Sequence, residues 1–291
     1  LYHTLRNSAG LLKDGKGGIF VTDTPAGYSA CYDIIAHGEE FRAAIDRLSG
    51  SYNIDGFIFD CIQAEQLLKE SKGGELWPFI NSWNRVVSGY GSSVYMSELA
   101  APANRACVLP LAADNGSLPD ALTGGIILTL NSGLSGNIYT QYYYNGSSGA
   151  PNHNTTLLTA QAGLFMPMQF IPFYSGTGPA YRDAMVKSAS LRNSMAQYME
   201  ELLKESAKTG EPLVRHLDYQ FPGQGFANCD DQFMLGSRYL VAPVLEKAEK
   251  RTVRLPKGTW VGTDGARHKG PRVISVDVSS GQVSAFTHQG K

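Results

Sequence analysis

The chain has 291 residues, 43% of them hydrophobic and 18% charged, with a formal net charge of −1. That is apolar material for one large domain plus a small one, or for two medium domains. It carries no clustered Lys/Arg block of the kind that phosphate binding requires and no apolar run of the ~18 residues that cross a bilayer, so neither a nucleic-acid partner nor membrane contact is expected within this segment.

The first residues, Leu1-Tyr2-His3-Thr4, lack Met and the profile of a signal peptide. The chain is therefore expected to be a piece of a longer protein. Residues 1–38 are rich in Gly, Lys and Asp, with short strands expected at Ile19–Thr22 and Tyr32–Ile35. Phe41, Ala44, Ile45 and Leu48 then fall on one face of a helix. The run Ile54-Asp55-Gly56-Phe57-Ile58-Phe59-Asp60 reads as a buried strand that ends abruptly in a carboxylate. Two readings of Asp60 stand at this point. It is a solvated or capping acid, or it lies on the active face formed by the carboxyl ends of parallel barrel strands.

A second helical stripe runs through Leu76, Phe79, Ile80, Trp83, Val86 and Val87. Strands are expected at Ser93–Met96 and Cys107–Leu111, the latter running on to Asp114, and a helix over about 117–131. A strand over Asn137–Tyr142 leads into Tyr143-Tyr144-Asn145-Gly146-Ser147-Ser148-Gly149, a loop of turn formers. A helix near 155–165 precedes a strand over Met168–Phe173. A single helix is expected near 180–206, with Pro179 at its start and Leu191, Met195, Tyr198, Met199 and Leu202 on its apolar face.

The strand–helix alternation from 54 to 206 argues for parallel βαβ units, either the later part of a (β/α)8 barrel or an open doubly wound sheet. No GxGxxG follows a first strand, so no dinucleotide or other cofactor is expected. After about 210 the texture changes to short strands, Tyr239–Leu245, Arg251–Leu255 and Val273–Val278, with Gly/Pro/Lys turns between them. That pattern reads as a small all-β sandwich. The expected fold is thus α/β: a partial (β/α)8 TIM barrel over 1–210, followed by a sandwich domain over 211–291.

Cys31, Cys61, Cys107 and Cys229 show no metal-site spacing and read as buried small hydrophobes. No metal is expected. Asn115, Asn145 and Asn154 begin Asn-x-Ser/Thr triplets, which permit glycosylation in the secretory pathway or outside the cell.

Asp114 follows an apolar run just as Asp60 does. If the strands between them are successive barrel strands, the two acids share one face. That is the arrangement glycoside cleavage needs, one carboxylate attacking the anomeric carbon and the other protonating the leaving oxygen. The other reading is two unrelated loop acids.

The late motifs Pro212-Leu213-Val214-Arg215, Phe221-Pro222, Asp231-Gln232-Phe233-Met234-Leu235-Gly236, Leu240-Val241-Ala242-Pro243-Val244 and Leu255-Pro256-Lys257-Gly258-Thr259-Trp260 stand in an order that resembles glycoside hydrolase family 31, the α-glucosidases and their relatives. Asp55-Gly56-Phe57-Ile58-Phe59-Asp60 is similar to the family's nucleophile strand. Gly133-Leu134-Ser135-Gly136 follows Asp114 at the separation where family members carry this tetrapeptide after their acid/base aspartate. The resemblance implies that Asp60 is the nucleophile, Asp114 the acid/base, and the first barrel strands absent from this segment. Phe165-Met166-Pro167-Met168-Gln169-Phe170 is similar to a run in the branch that includes the myogenesis-regulating glycosidase. It stands where typical α-glucosidases carry an Arg-x-His sugar contact, and implies an α-galactoside preference.

Several positions depart from the family pattern. Its Trp-x-Gly-Asp is Leu111-Ala112-Ala113-Asp114 here, and its aspartate-Ile-Gly-Gly loop is Tyr143-Tyr144-Asn145-Gly146. Arg105 is the nearest counterpart of the family's upstream arginine, although Glu98 is closer to the usual spacing. Candidate sugar contacts are Gln63, Arg105, Tyr143 and Gln169. Glu65 is assigned to the following helix, Asp231 to a structural role, and His153 and His216 to none. The resemblance implies a retaining exo-α-glycosidase with an α-linked oligosaccharide or glycoconjugate as partner. The departures leave a second reading, a catalytically lapsed glycosidase fold that binds a carbohydrate or a protein.

Overall fold

The computed structural model describes residues 11, 16, 18, 21–24, 27–30, 34–52, 56–59, 81–82, 85–86, 94–97, 109–112, 118–143, 158, 160–169, 179–278 and 284–290. The chain divides into two compact units, Leu1–Leu109 and Pro110–Lys291.

In the first unit, β1 (Val21–Thr24) and β2 (Gly27–Ala30) form an antiparallel hairpin, Val21 opposite Ala30 and Thr24 opposite Gly27. The strand expected at 32–35 is corrected: Ile34 and Ile35 open helix α1 (Ile34–Tyr52). Two β-branched residues favour a strand locally, and a departure from helical geometry at His37 (φ −126°, ψ 27°) separates them from the periodic stripe beyond it. That stripe is as expected, with Phe41, Ala44 and Ile45 buried. Strand β3 (Gly56–Phe59) pairs in parallel with β4 (Val94–Ser97), from Gly56 opposite Val94 to Phe59 opposite Ser97. A parallel pair requires a crossover between its strands. Helical turns at 81–82 and 85–86, with Val86 buried, lie between them in the chain.

The second unit opens with a three-stranded sheet in the order β5 (Leu109–Ala112), β6 (Thr140–Tyr143), β7 (Met168–Gln169). Helix α2 (Leu118–Leu134) joins β5 to β6 and buries Leu122, Ile126 and Leu130 along one stripe. Its end explains the tetrapeptide at 133–136. Gly136 adopts φ 86° and donates its N–H to Gly133 O, while Asn137 N–H reaches Ser132 O, a left-handed cap that closes the helix. Gly133 faces Pro212, whose Cβ would lie 3.0 Å from any added side chain.

The single helix expected at 180–206 is two, α3 (Pro179–Ser194) and α4 (Ala196–Thr209). Ser194 Oγ donates to Leu191 O at 2.7 Å, and Met195 N–H bonds Arg192 O three residues back, so the turn tightens and the helix restarts at Ala196. Leu191 is exposed, contrary to its expected place on the apolar face. Met195, Met199 and Leu202 are buried and Tyr198 is half-buried. Gly210 (φ 80°) ends α4.

The remaining chain forms one six-stranded antiparallel sheet, where the sequence suggested a sandwich. Its order is β12 (Arg267–Asp277), β11 (Lys250–Gly262), β13 (Ser284–Gln289), β10 (Tyr239–Ala242), β9 (Phe233–Leu235), β8 (Val214–Arg215), and a one-turn helix α5 (Leu217–Gln220) follows β8. Strand β11 is irregular. A bulge between Leu255 and Gly258 inserts one extra residue against β12 and reverses the inward parity, so Val253 and Leu255 before it and Trp260 after it all enter one core. Leu217, Phe226, Cys229, Met234, Leu240 and Phe286 complete that core. The core is thus shared by strands of one hydrogen-bonded sheet and by residues of α5 and the segment after it.

Candidate functional site at the strand ends

Two of the residues given chemistry by the sequence are described, and two others follow described strands closely in sequence. Strand β3 ends at Phe59, and Asp60 is the next residue in sequence. Strand β5 ends at Ala112, two residues before Asp114. Asp60, Gln63, Arg105 and Asp114 lie outside the described residues, as do Asn115, Asn145, Asn154 and His153. Tyr143 and Gln169 are described through their main chains. Strands β6 and β7 run parallel, Gln141 opposite Met168 and Tyr142 opposite Gln169. Tyr143 and Gln169 are therefore the last described residues of neighbouring parallel strands, at the same end of one sheet.

The turn that feeds β7 is held by a residue that the sequence did not single out. Leu164, Phe165 and Met166 are buried. Arg192, in the last turn of α3, donates from Nη1 to Leu164 O at 2.9 Å and Met166 O at 2.6 Å, and from Nη2 to Pro167 O at 2.6 Å. Burial lowers its pKa from the ordinary arginine value. Its only sequence signal is a basic residue near a helix end, which is too common to identify a clamp.

The late signature motifs have structural roles. Arg215 is buried and donates to Pro212 O (2.8 Å), Gln220 Oε1 (3.2 Å) and Glu205 Oε1 (3.3 Å). Asp231 takes the role expected of it: its carboxylate pairs with Arg251 at 2.8 Å and Arg254 at 3.6 Å. Gln232 is buried and closes a two-way bond with Arg254, Nε2 donating to Arg254 O and Oε1 accepting from Arg254 N–H. His216, without an assigned role from sequence, caps α5, its Nδ1 accepting from Asp218 N–H at 3.1 Å. Among the described residues no helix is long and apolar enough to cross a membrane.

Residues 210–291 match the glycosyl hydrolase family 31 C-terminal domain. The chain is 39% identical over 139 residues to the myogenesis-regulating glycosidase of Mus musculus, 44% of this chain and 19% of that protein. It is 32% identical over 92 residues to an alpha-glucosidase of Saccharolobus solfataricus, 31% of this chain and 12% of that protein. The chain superposes on the crystal structure of a GH31 alpha-xylosidase from a soil metagenome complexed with xylose, with a TM-score of 0.78 and 21% identity, covering 100% of this chain and 51% of that one. At that identity the likeness is one of fold. The chain thus spans about half the length of the xylosidase and smaller shares of the two relatives. The resemblance to family 31 read from the motifs agrees with all of these matches.

Proposed function

We propose that this chain, which resembles glycoside hydrolase family 31, acts in a retaining exo-α-glycosidase that hydrolyses O-glycosidic bonds of α-glucosides or α-galactosides. The scaffold in this reading is a partial (β/α)8 barrel over residues 1–210 with the sheet domain of 211–291 after it. What carries the proposal is where the acids fall in the sequence relative to the described strands. Asp60 follows β3, a strand paired in parallel, by one residue, and Asp114 follows β5 by two, in a chain whose last part matches the family 31 C-terminal domain. The names of the relatives, a glycosidase and an alpha-glucosidase, support the reaction class. Xylose in the alpha-xylosidase supports a sugar ligand.

In the first step the Asp60 carboxylate attacks the anomeric carbon. The glycosidic C–O bond breaks, and the Asp114 carboxyl gives its proton to the departing oxygen. In the second step Asp114, now ionised, takes a proton from water, whose oxygen displaces Asp60 and restores the starting configuration. Retention requires the two carboxyl groups ~5–5.5 Å apart and environments that hold one ionised and the other protonated. Gln63, Arg105, Tyr143 and Gln169 contact the sugar in this reading. The Met-Pro-Met-Gln run at 166–169, in place of an Arg-x-His contact, favours an α-galactoside. No cofactor takes part.

The test is a panel of nitrophenyl α-glycosides on the full-length protein, followed by Asp60→Ala and Asp114→Ala with azide. Asp60→Ala should yield a glycosyl azide of inverted configuration, and Asp114→Ala one of retained configuration. Undiminished turnover in Asp60→Ala refutes the assignment. A second reading, a lapsed glycosidase that binds a carbohydrate or a protein, is favoured by one feature. Leu111-Ala112-Ala113-Asp114 stands in place of the family's Trp-x-Gly-Asp, with Ala112 the last residue of β5. Sugar binding without turnover in the full-length protein would decide for it.

A further inference from the structure

Three carbonyls within four residues, those of Leu164, Met166 and Pro167, converge on the Arg192 guanidinium. They belong to a turn whose side chains Leu164, Phe165 and Met166 are buried in the core. A planar fork of fixed N–H directions satisfies all three acceptors at once, which the single ammonium of a lysine cannot do in the same geometry. The described residues of strand β7, Met168 and Gln169, each make one rung with β6. The clamped turn leads directly into them, so holding its main chain constrains where Gln169 falls along Tyr142.

We propose that Arg192 is a positioning residue that sets the advance of Gln169 at the strand ends, and thereby the selectivity for the sugar ring. The proposal rests on the glycosidase reading above and deepens it. Arg192 touches no substrate. It acts through the main chain of 164–167, so its loss blurs discrimination between sugars that differ at one hydroxyl and leaves the bond-breaking acids in place.

The experiment uses Arg192→Lys, Arg192→Gln and Gln169→Ala in the full-length protein. Each is compared with the parent on nitrophenyl α-galactoside and α-glucoside, which share a leaving group. Active sites are counted by trapping the glycosyl-enzyme, and thermal midpoints are recorded. In Arg192→Lys, KM for the preferred sugar should rise roughly tenfold while kcat per active site changes by less than about threefold. The galactoside-to-glucoside ratio of kcat/KM should move toward one, as in Gln169→Ala, and the double variant should lose no further selectivity. Unchanged KM and selectivity in a folded Arg192→Lys overturn the proposal. So does a uniform loss of active sites with the remaining sites unaltered in either Arg192 variant, which marks a purely structural staple. A parent that hydrolyses neither glycoside defeats the glycosidase reading instead. Selectivity is then read as the ratio of sugar dissociation constants, and a parent that binds neither sugar overturns both.

Discussion

Gly236→Ala tests how tightly the turn between β9 and β10 is bound to helix α4. Gly236 has φ 54° and donates its N–H to Leu213 O at 2.7 Å. A methyl group there would fall on the Tyr198 hydroxyl and within 2.5 Å of Leu202 Cδ2. Neither neighbour yields easily. The Tyr198 hydroxyl donates to Leu235 O and accepts from Arg238 N–H, both at 3.2 Å. Its ring packs edge-on to Tyr239 at 5.4 Å, and Leu202 is buried. The left-handed backbone costs a non-glycine residue about 1–2 kcal/mol, and overpacking adds about 1–3 kcal/mol. The substitution should therefore cost roughly 2–5 kcal/mol in equilibrium urea unfolding. Tyr198→Phe alone removes two hydrogen bonds and should cost about 1–3 kcal/mol. It also removes the oxygen that the new methyl would strike. The double variant should thus be more stable than the sum of the two losses by at least about 1 kcal/mol. A cost below about 0.5 kcal/mol for Gly236→Ala, or strict additivity in the cycle, would refute the packing argument.

Two further outcomes are expected of the sheet core. Trp260 is fully buried, donates Nε1–H to Pro256 O at 2.8 Å and stacks on His288 at 4.5 Å. Trp260→Phe should lose about 2–4 kcal/mol by urea titration, since it leaves both a void and an unanswered carbonyl at the bulge. Burial raises the Cys229 thiol from its ordinary 9.0 to about 11. The unfolded thiol ionises first, so this contribution is complete below pH 9 and is lost as pH rises through about 11. It amounts to about 2–3 kcal/mol. The difference in unfolding free energy between the parent and Cys229→Ala should shrink over that window and stay flat below it.

Much of this architecture is legible in local sequence because local forces decide it. The α1 stripe, the β3 run and the glycine-ended helix α2 each carry their own periodicity or cap. The failures occur where propensity and periodicity do not decide the outcome. Ile34 and Ile35 have strand propensity but open α1. The α3–α4 break depends on a serine hydroxyl turning back on its own helix, a choice that periodicity does not encode. A bulge in β11 shifts the inward parity from Val253 and Leu255 to Trp260, and nothing in Pro256-Lys257-Gly258 distinguishes a bulge from an ordinary turn. The candidate site divides in the same way. An acid after an apolar run marks Asp60 and Asp114. Arg192 acts on carbonyls brought to it by folding, so it reads as an unremarked surface charge until the turn it holds is known, while Arg215 stands in a recognisable motif whose partners only the fold supplies.

The sheet order also governs what this protein does beside its own copies. Among the described strands, β12 and β8 are the outer members of the six-stranded sheet. An outer strand is an open template for another chain. Strand β8 is only two residues long and offers almost no template. Strand β12 is long and largely exposed, yet it carries Arg267, Lys269 and Arg272, and Pro271 removes one donor from its middle. A like strand docking there would bring cation against cation across a broken ladder. The edge that would most readily nucleate fibrils is thus guarded by charge and by a missing N–H, and the domain keeps its β-rich surface without making it adhesive.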